Sequence, residues 1–172
     1  MKNWFMIMAL GMLSISVCAQ EGSSASIEAP YLRFPTIPPF KILKVDSIGY
    51  YSKEDLKKNK FTLVMFFSPT CEHCKHQTQD ILADNEEFKD VEIVMATYQP
   101  FEEMKEFYSY YRIADHPNIK LGRDVKYTLP PFYKNMQSLP YLALYDKKGN
   151  LITTFQGNQK TATLMTAFHS KE

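Results

Sequence analysis

Two unbroken apolar runs mark the middle of this chain. Residues 61–67 are apolar at every position except Thr62, and residues 91–98 form a second, mainly apolar run. Runs of this length predict strands that are covered on both faces, which is typical of the centre of a parallel or mixed sheet. We therefore expect two buried strands here, the first of them central.

A helical stripe follows each of these strands. After the first, residues 74, 78, 81, 82, 85 and 88 recur at spacings of three and four, which predicts a helix to about Lys89. After the second, Pro100 stands where a helix begins, with Glu102 and Glu103 in its first turn. The order strand, helix, strand, helix predicts an α/β fold with right-handed crossovers.

The flanking segments are patterned more weakly. Residues 40–48 predict a strand, and Ser52 to Asp55 resemble a capping box before a short helical turn. Residues 141–145 and 151–155 predict a hairpin, and Asn158 is the expected cap of a last amphipathic helix. Residues 114–134 give no assignable element.

The N-terminal residues have the pattern of a secretory signal peptide. Lys2 precedes an apolar run over residues 4–17, and Val17-Cys18-Ala19 precedes Gln20. The run is shorter than the ~20 residues that span a bilayer, so we expect a periplasmic protein cleaved after Ala19. Lipid anchoring through Cys18 stays an alternative. The Pro- and Ser-rich residues 20–39 predict a flexible tether, and residues 40–172 predict one domain.

Charge gives no indication of a partner. Removing residues 1–19 removes Lys2 and no acid, which leaves 19 basic and 19 acidic residues interspersed along the chain. We therefore expect neither nucleic acid nor an anionic membrane surface as a partner, and no membrane span in the mature chain. We expect a monomer.

The candidate chemistry lies where the first buried strand meets its helix. Cleavage leaves two cysteines, Cys71 and Cys74, in a compartment that permits disulfides. A bridge between them closes too small a loop to stabilise the fold much, whereas a helix N-terminus stabilises a thiolate at Cys71. The pattern predicts a dithiol redox site.

Other uses of Cys-x-x-Cys are weaker here. Haem attachment requires His after the second cysteine, and residue 75 is Lys. His73 and His76 lie close enough to complete a zinc cluster with the cysteines, and a site in which the cysteines and His73 hold Cu(I) or zinc stays an alternative.

The arrangement of strand, Cys-x-x-Cys helix, and a proline just before a hairpin and terminal helix resembles the thioredoxin fold over about residues 40–169. With the export signal and the long spacing from Cys74 to Pro140, it is similar to the exported TlpA and ResA type. The resemblance implies a three-layer α/β/α sandwich with a central mixed sheet, an N-terminal extension and no bound cofactor. It also implies that Pro140 is a cis-proline facing the cysteines and that Leu139 and Pro140 form the substrate groove.

Thiol chemistry then gives each cysteine a role. Cys71 would be the nucleophile and Cys74 the resolving thiol. Between them, protonated His73 favours the Cys71 thiolate and Glu72 disfavours it. A His before the second cysteine resembles the oxidising members of the superfamily, so we expect a potential within about −270 to −120 mV.

Three positions depart from the family pattern. Met65 stands where thioredoxin has a buried acid, Thr70 replaces the usual Trp, and Tyr141 follows Pro140 where Thr is common. These differences affect the expected substrate and turnover rather than the fold.

The sequence thus predicts an exported thiol-disulfide oxidoreductase acting on protein thiols and disulfides and reset by an upstream redox partner. A Cu(I) or zinc chaperone and a non-catalytic binding domain of the cell envelope are the alternatives. The aromatic residues Tyr127, Phe132 and Tyr133 predict either a substrate groove near Pro140 or core packing.

Overall fold

A computed structural model describes residues 28–134 and 136–170. In that part of the chain, seven strands run Lys41–Leu43 (β1), Tyr50–Ser52 (β2), Phe61–Phe66 (β3), Val91–Thr97 (β4), Ile119–Arg123 (β5), Tyr141–Tyr145 (β6) and Leu151–Gln156 (β7). The helices are Pro30–Arg33 (α1), Glu72–Ala83 (α2), Phe101–Tyr110 (α3), Leu129–Tyr133 (α4) and Thr161–His169 (α5), with 3₁₀ turns at Lys53–Asp55 and Ile113–Asp115.

The strands form one mixed sheet in the order β2-β1-β5-β4-β3-β6-β7. β3 pairs in parallel with β4 and antiparallel with β6, and every one of its residues is buried. The apolar run therefore marks a central strand, as the sequence predicted. β4 is also buried throughout and pairs in parallel with β5.

Helices cover both faces of the sheet. On one face, α2, α3 and α5 contribute Cys74, Met104 and Phe168 to a core with the odd-numbered residues of β3. On the other face, α4 and α1 bring Tyr133 and Tyr31 against the even-numbered residues. This is the expected three-layer α/β/α sandwich.

The extra length between β4 and β6 forms α3, β5 and α4. Residues 114–134, which the sequence left unassigned, supply β5 at the side of β4 and α4 on the opposite face from α2. Gly122 in β5 is needed because a Cβ there would lie 2.7 Å from the Leu43 carbonyl oxygen of β1.

The second half of the expected tether is packed against the domain. The Ile37 amide donates to the Gly149 carbonyl (3.0 Å), and the Leu151 amide donates to the Pro35 carbonyl (2.8 Å). Ile37 is buried. The prolines favour extended backbone, and here that backbone lies beside the hairpin instead of remaining separate from the domain. The expected signal peptide lies outside the described residues.

Several boundaries differ from the sequence prediction. α2 ends at Ala83 and not near Lys89, because hydrogen-bonded turns occupy residues 84–90. Asn158 does not cap α5, which begins at Thr161 after Lys160. The predicted strand over residues 40–48 is shortened to β1, and β2 covers its outer edge. The capping box at Ser52 and Asp55 is confirmed.

Within the described residues, no helix is both long and apolar enough to cross a membrane.

Candidate functional site

The end of β3 places Cys71 at the first residue before α2. Beyond the strand, the Phe67 amide still donates to the Ala96 carbonyl of β4 (3.0 Å), which fixes the direction of the chain. The Cys71 amide then donates to the Ser68 carbonyl (3.2 Å), closing a tight turn. Cys71 is therefore the N-cap residue of α2, although its side chain makes no capping bond. The helix dipole favours negative charge at this position.

The two thiols differ in environment. Both cysteines are free, and Cys71 is partly exposed whereas Cys74 is fully buried one turn further along α2. Burial raises the pKa of the Cys74 thiol; a backbone hydrogen bond from Ser68 opposes this shift, and a hydrogen bond with Cys71 adds to it. At neutral pH Cys74 is therefore a neutral thiol. Cys71 is the accessible sulfur because it is partly exposed.

Leu139 and Pro140 form the wall opposite Cys71. The Leu139-Pro140 peptide bond is cis, and the Leu139 carbonyl oxygen lies 3.9 Å from the Cys71 sulfur. The Gln156 side chain fixes the two residues before this bond, because it accepts hydrogen bonds from the amides of Gln137 (2.7 Å) and Ser138 (3.1 Å). The Leu139 amide itself has no acceptor among the described residues.

A lysine next to the cysteines changes the local charge. Lys75 Nζ lies 2.7 Å from the Glu72 carboxylate, and both side chains are substantially exposed. The Lys75 ammonium lowers the pKa of Glu72, and Glu72 in turn raises the pKa of Lys75. Glu72 therefore does not act as an isolated negative charge beside Cys71. The spacing of three residues between Glu72 and Lys75 is visible in the sequence, but the expected effect on Cys71 took account only of Glu72 and His73, which is exposed.

The floor beneath the cysteines is apolar. Met65 is fully buried, and its neighbours across the sheet are Met95 in β4 and Leu142 in β6. Two carboxylates are buried among the described residues, and neither belongs to this core: Glu92 accepts from the Tyr51 hydroxyl (2.9 Å), and Asp124 binds the turn before α4. The expectation that residue 65 offers no proton acceptor agrees with this packing.

Two grooves flank the site. One, of about 590 Å³, lies between α2 and α3 and is lined by Glu72, Lys75 and Tyr110. The other, of about 370 Å³, lies on the Leu139 side, and Tyr98 and Tyr127 form its exposed wall.

The aromatic residues near Pro140 divide between the two predicted roles, groove lining and core packing. Tyr127 is 50% exposed and lines the second groove. Tyr133 is fully buried and shares a hydrogen bond with the Tyr145 hydroxyl (2.7 Å). Tyr98, which also lines the groove, was not predicted as a site residue, because its only signal in the sequence is its place at the end of a buried strand.

The residues of the alternative metal site are not brought together. No three His, Cys, Asp or Glu side chains in residues 28–134 and 136–170 are grouped so as to hold a metal ion. His73 and His76 are both exposed on α2.

Known structures share this architecture at low sequence identity. DsbF of Mycobacterium tuberculosis is 18% identical, with 80% of this chain and 100% of that chain covered and a TM-score of 0.64. A secreted disulfide oxidoreductase of the same organism, described as homologous to Escherichia coli DsbE, is 16% identical over 76% and 94% of the two chains, with a TM-score of 0.62. StoA of Bacillus subtilis is 19% identical over 77% and 98%, with a TM-score of 0.57.

These similarities establish the fold, and a sequence family covers most of the chain. Residues 52–170 match the family described as thioredoxin-like domain. That range includes the Cys-x-x-Cys turn, the cis-proline and the terminal helix. The protein belongs to the thioredoxin-like family.

Proposed function

We propose that this protein is an exported thiol-disulfide oxidoreductase that exchanges disulfides with protein substrates through Cys71 and Cys74. One arrangement carries the proposal: an accessible sulfur at a helix N-terminus, a buried sulfur one turn away, and the Leu139 carbonyl 3.9 Å from the first. An exposed thiol paired with a buried resolving thiol suits two-step exchange.

In the reducing direction, the Cys71 thiolate attacks one sulfur of a substrate disulfide. A Cys71–substrate S–S bond forms, and the other substrate sulfur leaves as a thiolate that takes up a proton. Cys74 then loses its proton and attacks Cys71, which releases the second substrate thiol and forms the Cys71–Cys74 disulfide. Two electrons pass from the protein to the substrate, and an upstream redox partner returns them. The same steps in reverse oxidise a substrate dithiol.

The backbone beside the site supports a polypeptide substrate. An extended strand laid along Leu139 can accept from its amide and donate to its carbonyl, as in strand addition. The Leu139 amide has no acceptor among the described residues, so it is available for this contact.

Export is part of the proposal. The first 19 residues have the signal-peptide pattern, and the M. tuberculosis oxidoreductase with the same fold is described as secreted.

Trapping with Cys74→Ser tests the function. This variant can attack a substrate but cannot resolve the mixed disulfide, so envelope proteins should accumulate as adducts that reductant releases. Cys71→Ser/Cys74→Ser is the matched control and should capture none. If the single variant forms no adducts, and the wild-type dithiol does not reduce glutathione disulfide, the proposal is wrong.

Metal analysis of the purified reduced protein provides a second test. Stoichiometric, tightly bound zinc or copper would support the chaperone alternative against this proposal.

A further inference from the structure

The groove on the Leu139 side shares Leu139 with the contact of the reactive sulfur. The Leu139 carbonyl oxygen lies 3.9 Å from the Cys71 sulfur, and Leu139 also lines the groove. A polypeptide joined to Cys71 through its own cysteine, and paired with Leu139, would therefore lie beside this groove. Successive side chains of an extended strand alternate in direction, so one next to the client cysteine would point into the groove.

The exposed wall of the groove is aromatic. The Tyr98 ring stacks on Phe66 with centroids 5.9 Å apart, and the Tyr127 ring meets Tyr98 edge-on at 5.3 Å. The other lining residues are Pro130, Pro131, Lys134, Met136 and Leu139. Tyr98 and Tyr127 are 43% and 50% exposed. A further apolar side chain can therefore pack against their rings, which already contact other aromatic rings.

Buried polar groups hold this wall in place. Asp124 is 2% exposed; its carboxylate accepts from the Thr128 hydroxyl (2.8 Å) and the Leu129 amide (2.9 Å). The Asp124 carbonyl accepts from the Tyr127 amide (3.1 Å). Within this turn Tyr127 has φ +52°, a left-handed conformation that is uncommon for a bulky residue. The turn therefore holds Tyr127 in a conformation that the residue does not prefer locally.

The backbone beneath Tyr98 is fixed from the other side. Arg123, at the end of β5, donates from Nε to the carbonyls of Gln99 (2.8 Å) and Tyr98 (3.3 Å). Hydrogen bonds thus fix the backbone that carries both tyrosines. Less conformational entropy is then lost when a ligand binds between their side chains.

We propose that the groove formed by Phe66, Tyr98, Tyr127, Met136 and Leu139 is a specificity pocket for an aromatic or large aliphatic side chain adjacent to the client cysteine. This inference rests on the proposed function and adds the chemical class of its substrate. Clients are extended or unfolded polypeptides in which a cysteine lies beside an apolar residue. The 370 Å³ volume suits one or two such side chains.

The groove between α2 and α3 differs in character. Its lining between α2 and α3 includes Glu72, Lys75, Glu103 and Glu106, whereas the lining of the Leu139 groove is mainly aromatic and apolar, with Lys134 as its single charged residue. It also lies away from the Leu139 backbone, with which an extended client would pair. Tyr110 in this groove is 77% exposed and gives a matched aromatic control.

Peptide kinetics test the pocket. Two peptides that differ only in the residues flanking a single cysteine, Phe in one and Ser in the other, are prepared as mixed disulfides with 5-thio-2-nitrobenzoate. Cys71 attacks the peptide sulfur, a Cys71–peptide disulfide forms, and coloured thionitrobenzoate leaves. Every protein carries Cys74→Ser, so only this step is measured, and the glutathione mixed disulfide reports the reactivity of Cys71 itself.

The ratio of the two peptide rate constants is the readout, because a general change in Cys71 reactivity cancels in it. With Cys74→Ser alone, the Phe peptide should react at least about tenfold faster than the Ser peptide. Adding Tyr98→Ser and Tyr127→Asn should reduce this ratio to about one, and adding Tyr110→Ser instead should leave it unchanged. Asn tolerates the left-handed conformation, and neither tyrosine is buried, so the variant should fold. Circular dichroism checks that it does.

Three results would overturn the inference: equal rates for both peptides in Cys74→Ser, a preference that survives the double tyrosine substitution, or a preference lost with Tyr110→Ser. In each case a normal rate with the glutathione disulfide leaves the proposed function standing. No reaction with any of the three disulfides would overturn the proposed function and the pocket with it.

Discussion

Burial of Cys74 makes the stability of the reduced protein depend on pH. The Cys74 side chain is fully buried against the apolar core, and this raises its thiol pKa above the unfolded value. The contribution of the protonated Cys74 thiol to the free energy of unfolding is therefore fully present below the unfolded pKa, about 8.5. It is lost as the pH rises toward the folded pKa. Above pH 8.5 the unfolded chain releases this proton and the folded protein retains it.

The size of the effect follows from proton linkage. If the folded thiol stays protonated, one proton released only on unfolding changes the free energy of unfolding by about 1.4 kcal/mol between pH 7.5 and 9.5. Cys74→Ala removes this proton and with it that part of the pH dependence. The variant should also be less stable at every pH because it loses buried volume, but this loss is constant.

Urea unfolding of the reduced wild type and of Cys74→Ala at pH 7.5, 8.5 and 9.5 measures the difference. Tris(2-carboxyethyl)phosphine keeps both proteins reduced. The range ends below the tyrosine pKa of about 10, and the tyrosines are the same in both proteins. The free energy of unfolding of the wild type should fall by about 1.4 kcal/mol more than that of the variant across this range. Parallel pH profiles would refute the assignment of Cys74 as a buried, protonated thiol.

Two further predictions concern a buried hydrogen bond and the charge beside Cys71. Tyr133→Phe and Tyr145→Phe should each lower the free energy of unfolding by about 1–3 kcal/mol, because each leaves one buried hydroxyl unpaired, and the double variant should cost less than the sum. Strict additivity in urea unfolding would contradict this. Lys75→Met should lower the midpoint redox potential and Glu72→Gln should raise it, each by up to about 20 mV from a wild-type value within about −270 to −120 mV. Titration against glutathione measures all three proteins; the reverse order would contradict the charge argument, and a wild-type value below that window would refute the expected potential.

The central sheet and the cysteine turn could be predicted because their signals are local. The apolar run at residues 61–67 needs no partner to identify it as a buried strand, and the two cysteines stand where that run meets a helical stripe. The hairpin was equally visible, since Gly149 at φ +83° is a turn residue between two apolar segments.

The groove could not be predicted because its parts have no shared pattern. β5 has charged residues at Lys120 and Arg123, and it is a strand because β4 and β1 pair with it on either side. The conformation of Tyr127 depends on Asp124, whose burial follows from tertiary packing rather than from its polar character. Gln77 shows the same limitation: it is a polar residue on the buried face of α2, and its partner is 82 positions away.

That contact between Gln77 and Gln159 has a mechanical consequence. The Gln77 side chain donates to the Gln159 carbonyl (3.1 Å) and accepts from its amide (2.7 Å), which joins the second turn of α2 to the segment before α5. The contact at Gln77 thus fixes the position of α2 less than two turns from Cys71. Making and breaking the Cys71–Cys74 bond should then displace only the turn from Ser68 to Glu72, and the rest of the helix should keep its position through the redox cycle.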